Sequence, residues 1–318
     1  MTVAFVFPGQ GSQSVGMLAD FAGAFPVVRG CFEEASAALG YDLWQLCSQG
    51  PEAQLNSTEF TQPAMLCAGI AVWRAWDAQG GPAPDIVSGH SLGEFTALVC
   101  AGAMDFAAAL RLVRFRGRAM QEAVPTGTGA MAAILGLEDA VVVDVCREAA
   151  AGEVVEAVNY NSPGQIVIAG HATAVTRAMA LAKARGARRA LPLPVSVPSH
   201  SSLMLGAAER LRVELDAVEV RAPRVPYLSA VDATLHSDPA DIRATLVRQL
   251  ASPVRWTATV QALVSGGASW LLECGPGAVL TGLNRRIEKR EGLSCVALEN
   301  TAALQSTVTA CQGHDQGA

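Results

Sequence analysis

Paired cysteines are missing from this sequence, and their absence excludes two kinds of site. The eight cysteines include no C-x-x-C pair, and most stand singly in apolar segments such as residues 65–68. Structural zinc needs clustered ligands, and disulfide frameworks belong to short secreted chains. We therefore interpret the cysteines as small reduced hydrophobes, expect no metal site, and favour a reducing, cytoplasmic compartment.

Leader and membrane signals are also lacking. The first residues carry no basic segment and no small-residue cleavage site, and the apolar run at residues 60–73 is shorter than the ~20 residues that a membrane-spanning helix needs. We expect a chain that is neither exported nor partnered with a membrane.

A surplus of positive charge is absent as well. The 23 Lys and Arg residues are outnumbered by 29 Asp and Glu residues, and the formal net charge is -6. This balance removes the general electrostatic reason to expect nucleic acid as a partner, so any basic partner site must be local. With 51% hydrophobic and 16% charged residues, the chain can bury one large core and a smaller one.

Strands alternate with helices over most of the chain. The pattern predicts a strand at 3–7, a glycine-rich loop at 8–13, and helices at 26–39 and 62–78. A short strand at 85–88 leads into a long helical region from Ser91 to Ala123. After Pro198 the same kind of unit returns, with helices at 202–217, 240–250 and 256–265 and strands near 227–230 and 270–273. This order predicts a mostly parallel sheet.

The pattern of predicted elements changes between residues 127 and 197, which indicates an insertion. Its elements follow the order βαββαβ, which is ferredoxin-like. We therefore predict an α/β fold whose large α/β-hydrolase-like domain, 1–126 and 198–301, carries an inserted ferredoxin-like subdomain, 127–197. The small polar residues of 302–318 predict a flexible tail.

The motif Gly89-His-Ser-Leu-Gly93 is the strongest single sign of chemistry. It matches G-x-S-x-G, in which glycines permit a tight strand-to-helix turn that lifts a serine hydroxyl out of the sheet. A strand is predicted to end at Ser88 and a helix to begin at Ser91, which is the context that the motif requires. The helix start also places backbone N–H groups, including that of Leu92, where an acyl oxyanion would form.

A nucleophilic serine needs a base, and one of the five histidines is well placed. His200 follows the proline-spaced segment at the point where the insertion rejoins the core, so it can face a cleft between the domains. The other four lie beside the serine, at a helix start, in a polar turn and in the tail: His90, His171, His236 and His314. We predict that His200 is the base.

Further motifs accompany the serine motif in a fixed order along nearly the whole chain. They are Phe7-Pro-Gly-Gln-Gly-Ser-Gln13, Gly89-His-Ser-Leu-Gly-Glu94, Arg116-Gly-Arg-Ala-Met-Gln121, Asn159-Tyr-Asn-Ser-Pro-Gly164, Pro194-Val-Ser-Val-Pro-Ser-His200 and Gly275-Pro-Gly277. With these motifs the sequence resembles the malonyl-CoA:acyl carrier protein transacylases of fatty-acid synthesis and the related acyltransferase domains of polyketide synthases.

The resemblance implies roles for individual residues. Ser91 would carry the acyl group, and His200 would act as general base and then as general acid. The backbone amides of Gln10 and Leu92 would form the oxyanion hole. Arg116 would bind the free carboxylate of the malonyl group, which suits a planar guanidinium that can make two parallel hydrogen bonds.

The resemblance also implies that a main-chain carbonyl, at Gln249, holds the histidine in place of an aspartate. An ordinary esterase would instead need an acid between Ser91 and His200 at the end of a core strand. The acids considered fall on predicted helices, on turns or in the insertion: Asp105, Glu122, Asp139, Asp144, Glu148, Glu153 and Glu156.

Four residues are weaker candidates for the substrate site. Asn159 and Asn161 flank a turn and could bind pantetheine or phosphate groups, or could cap the hairpin. Met120, one helical turn beyond Arg116, and Ser199, beside the histidine, could line the acyl pocket.

The implied reaction is a ping-pong transfer from malonyl-CoA to the phosphopantetheine thiol of an acyl carrier protein, with no permanently bound cofactor. The acidic carrier would dock on one of two basic clusters, Lys183, Arg185, Arg188 and Arg189 or Arg285, Arg286, Lys289 and Arg290. The alternatives are a discrete acyltransferase of a polyketide synthase, an acyl-thioester hydrolase and a non-catalytic scaffold.

Overall fold

The larger of two sheets has six strands in the order β10-β9-β1-β2-β7-β8. The computed structural model describes residues 1–125, 127–195 and 197–315. All neighbouring strands of this sheet are parallel except β7 and β8, which are antiparallel. Their bounds are β1 Val3–Phe7, β2 Ile86–Gly89, β7 Tyr227–Leu228, β8 Leu235–His236, β9 Trp270–Glu273 and β10 Ser294–Ala297.

Helices cover both faces of this sheet, which explains why all five residues of β1 are buried. Before the insertion the helices are α1 Ala19–Ala24, α2 Pro26–Leu39, α3 Leu43–Gln49, α4 Glu52–Leu55, α5 Thr58–Ala78, α6 Gly93–Cys100 and α7 Phe106–Gln121. After it they are α10 Leu205–Asp216, α11 Pro239–Gln249, α12 Trp256–Ser265, α13 Val279–Ile287 and α14 Thr301–Asp315, with a 3-10 turn at Ser202–Met204.

The smaller sheet is fully antiparallel, in the order β4-β5-β3-β6. Its elements are β3 Gly129–Leu135, α8 Asp139–Ala150, β4 Val155–Ser162, β5 Gln165–His171, α9 Ala172–Ala184 and β6 Arg189–Pro192. Both helices pack on one face of the sheet around a separate hydrophobic core. The predicted fold class, a mostly parallel sheet plus a ferredoxin-like subdomain, is confirmed, whereas the boundaries assigned to the domains stay predictions.

A short backbone ladder joins the two lobes. The Tyr160 N–H donates to the Val254 carbonyl at 2.9 Å, and the Val254 N–H donates to the Val158 carbonyl at 2.8 Å. The Thr257 hydroxyl adds a bond of 3.1 Å to the Tyr160 carbonyl. The edge strand β4 of the small sheet is thereby tied to the segment that precedes α12, so its end is held beside the large domain.

Several features of the large domain differ from the prediction. The long helical region from 91 to 123 is broken into α6 and α7, because Gly102 takes a left-handed φ of 71° and the Asp105 side chain caps α7 by accepting from the Ala108 N–H at 2.9 Å. Helices α1, α3 and α4 and the edge strands β8 and β10 were not predicted.

The predicted flexible tail is wrong for the part of 302–318 that the structure describes. Residues Thr301–Asp315 form α14, and Leu304, Val308 and Cys311 are buried in the main core. These three residues repeat at a helical spacing, so a narrow apolar stripe anchors an otherwise polar helix. Residue 126, at a predicted domain boundary, and residues 316–318 lie outside the described residues.

Candidate active site

Ser91 lies on the tight turn between β2 and α6, with a positive φ of 53°. The flanking glycines are required by close packing. A Cβ at Gly89 would lie 2.0 Å from the Gly93 carbonyl carbon, and a Cβ at Gly93 would lie 2.0 Å from the Phe7 carbonyl oxygen. The turn therefore presses against the end of β1, and the serine is presented at the carboxyl edge of the parallel sheet.

His200 is within hydrogen-bonding distance of the serine. Ser91 Oγ and His200 Nε2 are 2.7 Å apart, and His200 Nδ1 lies 2.9 Å from the Gln249 main-chain oxygen. Because a carbonyl only accepts, Nδ1 carries the proton and Nε2 is free to accept one from the serine hydroxyl. The geometry is therefore that of a base paired with a nucleophile, oriented by a backbone carbonyl.

The His200 imidazole is 3% exposed. Burial, assisted by the nearby positive charge of Arg116, lowers its pKa to about 3, and the bond to the Gln249 carbonyl opposes this shift. The ring is therefore neutral around pH 7, which is the state that a base needs.

Arg116, on α7, is a buried cation, 1% exposed. Its Nη2 lies 2.9 Å from Gln249 Oε1 and 3.3 Å from Ser91 Oγ, and its Nε has no hydrogen-bond partner. No carboxylate of the described residues lies within ion-pair distance of it. Burial lowers its pKa to about 10, with Glu94 opposing, so the guanidinium stays charged near pH 7.

A buried guanidinium that no carboxylate contacts directly is costly to a protein. Placed beside a serine–histidine pair, it is suited to an anionic ligand that supplies the missing charge.

Two backbone amides complete the surroundings of the serine. Neither the Gln10 N–H nor the Leu92 N–H has an acceptor among the described residues. Both residues line the same cavity as Ser91, and Leu92 stands at the start of α6. These amides are available to an oxyanion formed at the serine.

The site opens into a cavity of about 480 Å³. It is bounded by residues of both lobes: Gln10, Gly11, Gln13, Asn56, Thr58, Gln62, His90, Ser91, Leu92, Arg116, Met120, Met131, Asn159, Val167, Leu193, Pro194, Val195, Val197, Ser199 and His200. The structure therefore brings together the predicted serine, histidine, arginine and two amides, which are distant along the chain.

The weaker candidates divide into two groups. Met120, Ser199 and Asn159 line the cavity, and Asn159 Oδ1 is buried without a partner. Asn161 is not among the residues that line it, and its Oδ1 lies 2.9 Å from His90 Nε2. Asn161 therefore fixes the orientation of the histidine that precedes Ser91.

Sequence reasoning missed three polar groups around the site. Gln62 lines the cavity and has a buried Oε1 without a partner. Glu94 is fully buried under the elbow, and the side chain of Gln249, in addition to its carbonyl, contacts the site. The position of Glu94 next to the serine motif could have indicated a role in the site. No sequence pattern, however, indicates that a carboxylate at this position is buried.

The two predicted basic clusters lie on different lobes. Arg185 is paired with Glu148, and Arg286 Nη1 donates to Gln165 Oε1 at 2.6 Å, so α13 of the large domain reaches the start of β5. Arg285 donates to the Cys295 carbonyl at 2.7 Å. The remaining members of the clusters are Lys183, Arg188, Arg189, Lys289 and Arg290.

Within residues 1–125, 127–195 and 197–315, no group of His, Cys, Asp or Glu has an arrangement that could hold a metal ion. The described helices include none with the length and apolar character needed to cross a membrane.

The fold and the site together are those of α/β enzymes that pair a serine with a histidine at a strand-to-helix elbow. Residues 4–301 match the family model described as acyl transferase domain, and the chain belongs to this acyl transferase family.

Proteins of this family are similar in sequence and structure to nearly the whole chain. The malonyl CoA-acyl carrier protein transacylase of Salmonella typhimurium is 57% identical over 306 residues, which are 96% of this chain and 98% of that protein. The crystal structure of the malonyl-CoA:acyl carrier protein transacylase of Xanthomonas oryzae is 53% identical, with a TM-score of 0.95 and coverage of 98% and 99% of the two chains. A malonyl-transacylase solved in complex with a type II polyketide synthase acyl-carrier protein is 54% identical, with a TM-score of 0.95 and coverage of 98% and 100%.

Proposed function

We propose that this enzyme transfers a malonyl group from malonyl-CoA to the phosphopantetheine thiol of an acyl carrier protein. The observation that carries the proposal is the buried Arg116, which lacks a carboxylate partner and lies 3.3 Å from Ser91 Oγ. A malonyl group held by the serine would supply that carboxylate. The names of the relatives at 53–57% identity support the same acyl donor and acceptor.

In the first half-reaction the serine becomes acylated. His200 Nε2 takes the proton from Ser91 Oγ as the oxygen attacks the thioester carbonyl carbon. The negative oxygen that develops faces the Gln10 and Leu92 amides. The C–S bond then breaks, His200 returns the proton to the sulfur, and coenzyme A leaves as a thiol.

The second half-reaction repeats these steps with a different thiol. His200 takes the proton from the pantetheine thiol, the sulfur attacks the malonyl ester, and the C–O bond to Ser91 breaks. The proton passes to Ser91 Oγ, which restores the free enzyme. The residues of the chain supply every group that the reaction requires, so no permanently bound cofactor takes part.

The choice of acyl group follows from the charge of Arg116. A malonyl carboxylate can pair with the guanidinium, whereas an acetyl group would leave a buried cation without a partner. Selection against uncharged acyl groups is therefore part of the proposal. Met120 and Ser199 line the cavity and would limit the space that the acyl group occupies.

An acidic carrier would dock on one of the two basic clusters, Lys183, Arg185, Arg188 and Arg189 or Arg285, Arg286, Lys289 and Arg290. The net charge of -6 makes a local positive surface necessary. Because Arg185 is paired with Glu148, the carrier would contact the other cations of that cluster, Lys183, Arg188 and Arg189.

We assign the reaction to fatty-acid biosynthesis in the cytoplasm, which the relatives and buried thiols such as Cys47 and Cys100 support. A specific observation favours a second pathway as well. The 54% identical malonyl-transacylase was solved with a polyketide synthase carrier. Polyketide carriers therefore belong among the acceptors to be tested.

The test is incubation of the enzyme with malonyl-CoA, with and without holo acyl carrier protein, followed by separation of malonyl carrier from free malonate. The proposal predicts malonyl carrier and little free malonate. Free malonate released at the same rate with and without the carrier would identify a thioester hydrolase. If neither malonyl carrier nor free malonate forms, the protein is a non-catalytic scaffold.

A further inference from the structure

A buried carboxylate that this mechanism does not use lies beneath the Ser91 elbow. Glu94, in the first turn of α6, is fully buried. Its Oε1 accepts hydrogen bonds from the Ser229 hydroxyl at 2.8 Å and from the Ala230 N–H. Its Oε2 accepts from the side-chain amide of Gln249. Within the described chain no cationic side chain lies at ion-pair distance from it, so neutral donors alone hold this carboxylate.

The Gln249 side chain connects Glu94 to Arg116. Its Nε2 donates to Glu94 and, at 2.9 Å, to the Ser91 carbonyl, while its Oε1 accepts from Arg116 Nη2 at 2.9 Å. A flipped amide would set its oxygen against two acceptor oxygens and its NH₂ group against a guanidinium that can only donate. A single orientation of this amide therefore satisfies all its neighbours.

Arg116 has few other restraints. Its contact with Ser91 Oγ is long, at 3.3 Å, its Nε has no partner, and its guanidinium carbon lies 5.5 Å from the centre of the Phe95 ring. The bond that Arg116 Nη2 donates to Gln249 Oε1 is therefore the shortest polar contact that holds the guanidinium beside the serine.

We propose that Glu94 is a positioning residue for acyl selection: through the Gln249 amide it fixes Arg116 where the guanidinium meets the free carboxylate of the substrate. Glu94 itself touches neither the substrate nor the reacting atoms. This inference rests on the proposed function, since it presumes an acyl group with a free carboxylate.

The matched test substitutes two buried glutamates. Glu94→Gln replaces two charged acceptor oxygens with one neutral acceptor and one donor, so the bond from the Gln249 amide is either lost or reduced to a bond between neutral groups. Glu273→Gln is the control, because Glu273 is equally buried and accepts from the Leu280 and Thr281 amides at 3.0 and 2.7 Å, but among the described residues it bonds neither Gln249 nor Arg116. The readout is kcat/KM for malonyl-CoA and for acetyl-CoA.

We expect Glu94→Gln to lower kcat/KM for malonyl-CoA by about 10- to 100-fold, the range of one charge-assisted hydrogen bond, and to change kcat/KM for acetyl-CoA by less than about 3-fold. A purely structural role would lower both values together. Glu273→Gln should leave the malonyl-to-acetyl ratio unchanged.

A double-mutant cycle with Gln249→Met tests the route of the effect. This substitution removes the bridging amide and keeps the main-chain carbonyl that holds His200. Because the influence of Glu94 passes through that amide, adding Glu94→Gln to Gln249→Met should change the malonyl-to-acetyl ratio no further. If Glu94→Gln fails to fold, the loss of malonyl preference in Gln249→Met alone supports the proposal.

Three results would overturn the proposal: an unchanged malonyl-to-acetyl ratio in Glu94→Gln or in Gln249→Met, additive effects in the double variant, or an equal loss of the ratio in Glu273→Gln. A wild-type enzyme without malonyl transfer would instead refute the proposed function itself.

Discussion

At the scale of single residues, the charge of Arg116 decides which acyl groups the site accepts. Arg116→Ala should lower kcat/KM for malonyl-CoA by about 100-fold or more, since hydrogen bonds between charged groups are lost, while acetyl-CoA should be used at least as well as by the wild type. Acylation rates with the two thioesters measure the effect. Arg111→Ala is the control, because Arg111 lies on the same helix and is exposed.

If Arg116→Ala lowers kcat/KM for both thioesters, the role of Arg116 in acyl selection is contradicted. The same holds if Arg111→Ala lowers kcat/KM for malonyl-CoA as much.

The neutral state of His200 predicts the pH dependence of acylation. Neutral imidazole is the active form, and burial holds the His200 pKa below its ordinary value, at about 3. Protonation, and with it the loss of activity, therefore begins only as the pH falls well below the ordinary value of about 6.5. We expect kcat/KM for malonyl-CoA, measured under conditions in which the protein stays folded, to be flat between about pH 5 and pH 8.

An acidic limb of kcat/KM centred near the ordinary imidazole pKa would contradict this expectation. It would mean that the Arg116 charge and the burial of the ring do not act on His200 in the free enzyme.

The sequence predicted the residues that form the chemistry of the site and missed those that support them. Ser91 was predicted because the glycines of an elbow leave a pattern, and His200 because few histidines compete with it. Glu94 was not, since a carboxylate within hydrogen-bonding reach of Ser229 depends on a contact between residues far apart in the chain. Long-range polar contacts of this kind leave no local pattern.

At the scale of elements, the elbow depends on the contact of α6 with β1. Gly93→Ala would place a methyl group 2.0 Å from the Phe7 carbonyl oxygen, which requires backbone movement. We expect the free energy of unfolding to fall by more than about 2 kcal/mol and serine acylation to slow. Urea unfolding and single-turnover acylation measure the two effects.

The control is Gly30→Ala on α2, where a new Cβ would meet no atom within 4 Å. This substitution should stabilise the protein by about 0.5–1 kcal/mol, since alanine loses less conformational entropy than glycine in a helix. Equal effects of the two substitutions would contradict the close packing inferred at the elbow.

The predicted elements match the structure best where the apolar pattern is strong. Strand β9 and helix α12 match their predicted bounds, because the first is a short apolar run and the second an apolar helical segment. Helix α14 was missed, since its apolar residues form a narrow stripe among small and polar ones. Strand β10 was missed because four residues after a charged segment are too few to show an alternation.

At the scale of the whole molecule, the active site exists because two lobes close over one edge of the large sheet. The cavity takes Ser91 and Arg116 from the large domain and Met131, Asn159 and Val167 from the small sheet. The backbone ladder between Tyr160 and Val254 holds the lobes together at this edge. Such inter-lobe contacts depend on the complete fold, so the sequence predicted a cleft but not its lining.

Recognition of the carrier is a property of this assembled surface. Charge reversal at both basic clusters, for example Arg188→Glu with Lys289→Glu, should raise the KM for the carrier by about 10-fold or more, since complementary surface charge governs the encounter. Acylation by malonyl-CoA should not change. Steady-state kinetics with varied carrier measures the effect, and Arg212→Glu on α10, an exposed arginine, is the control.

An unchanged KM for the carrier in the charge-reversed enzyme would remove both clusters from the docking surface. If the KM for the carrier rises as much in Arg212→Glu, the effect comes from the net charge of the enzyme and not from the two clusters.

Ser91 must carry the malonyl group if the transfer proceeds as proposed. The most direct measurement is the intact mass of the protein after treatment with malonyl-CoA, for the wild type, Ser91→Ala and Ser88→Ala. Ser88 is a buried serine on β2, three residues away, that donates to the Leu228 carbonyl. We predict a malonyl-sized mass increase in the wild type and Ser88→Ala and none in Ser91→Ala. An increase that persists in Ser91→Ala, or no increase in the wild type, would contradict the account.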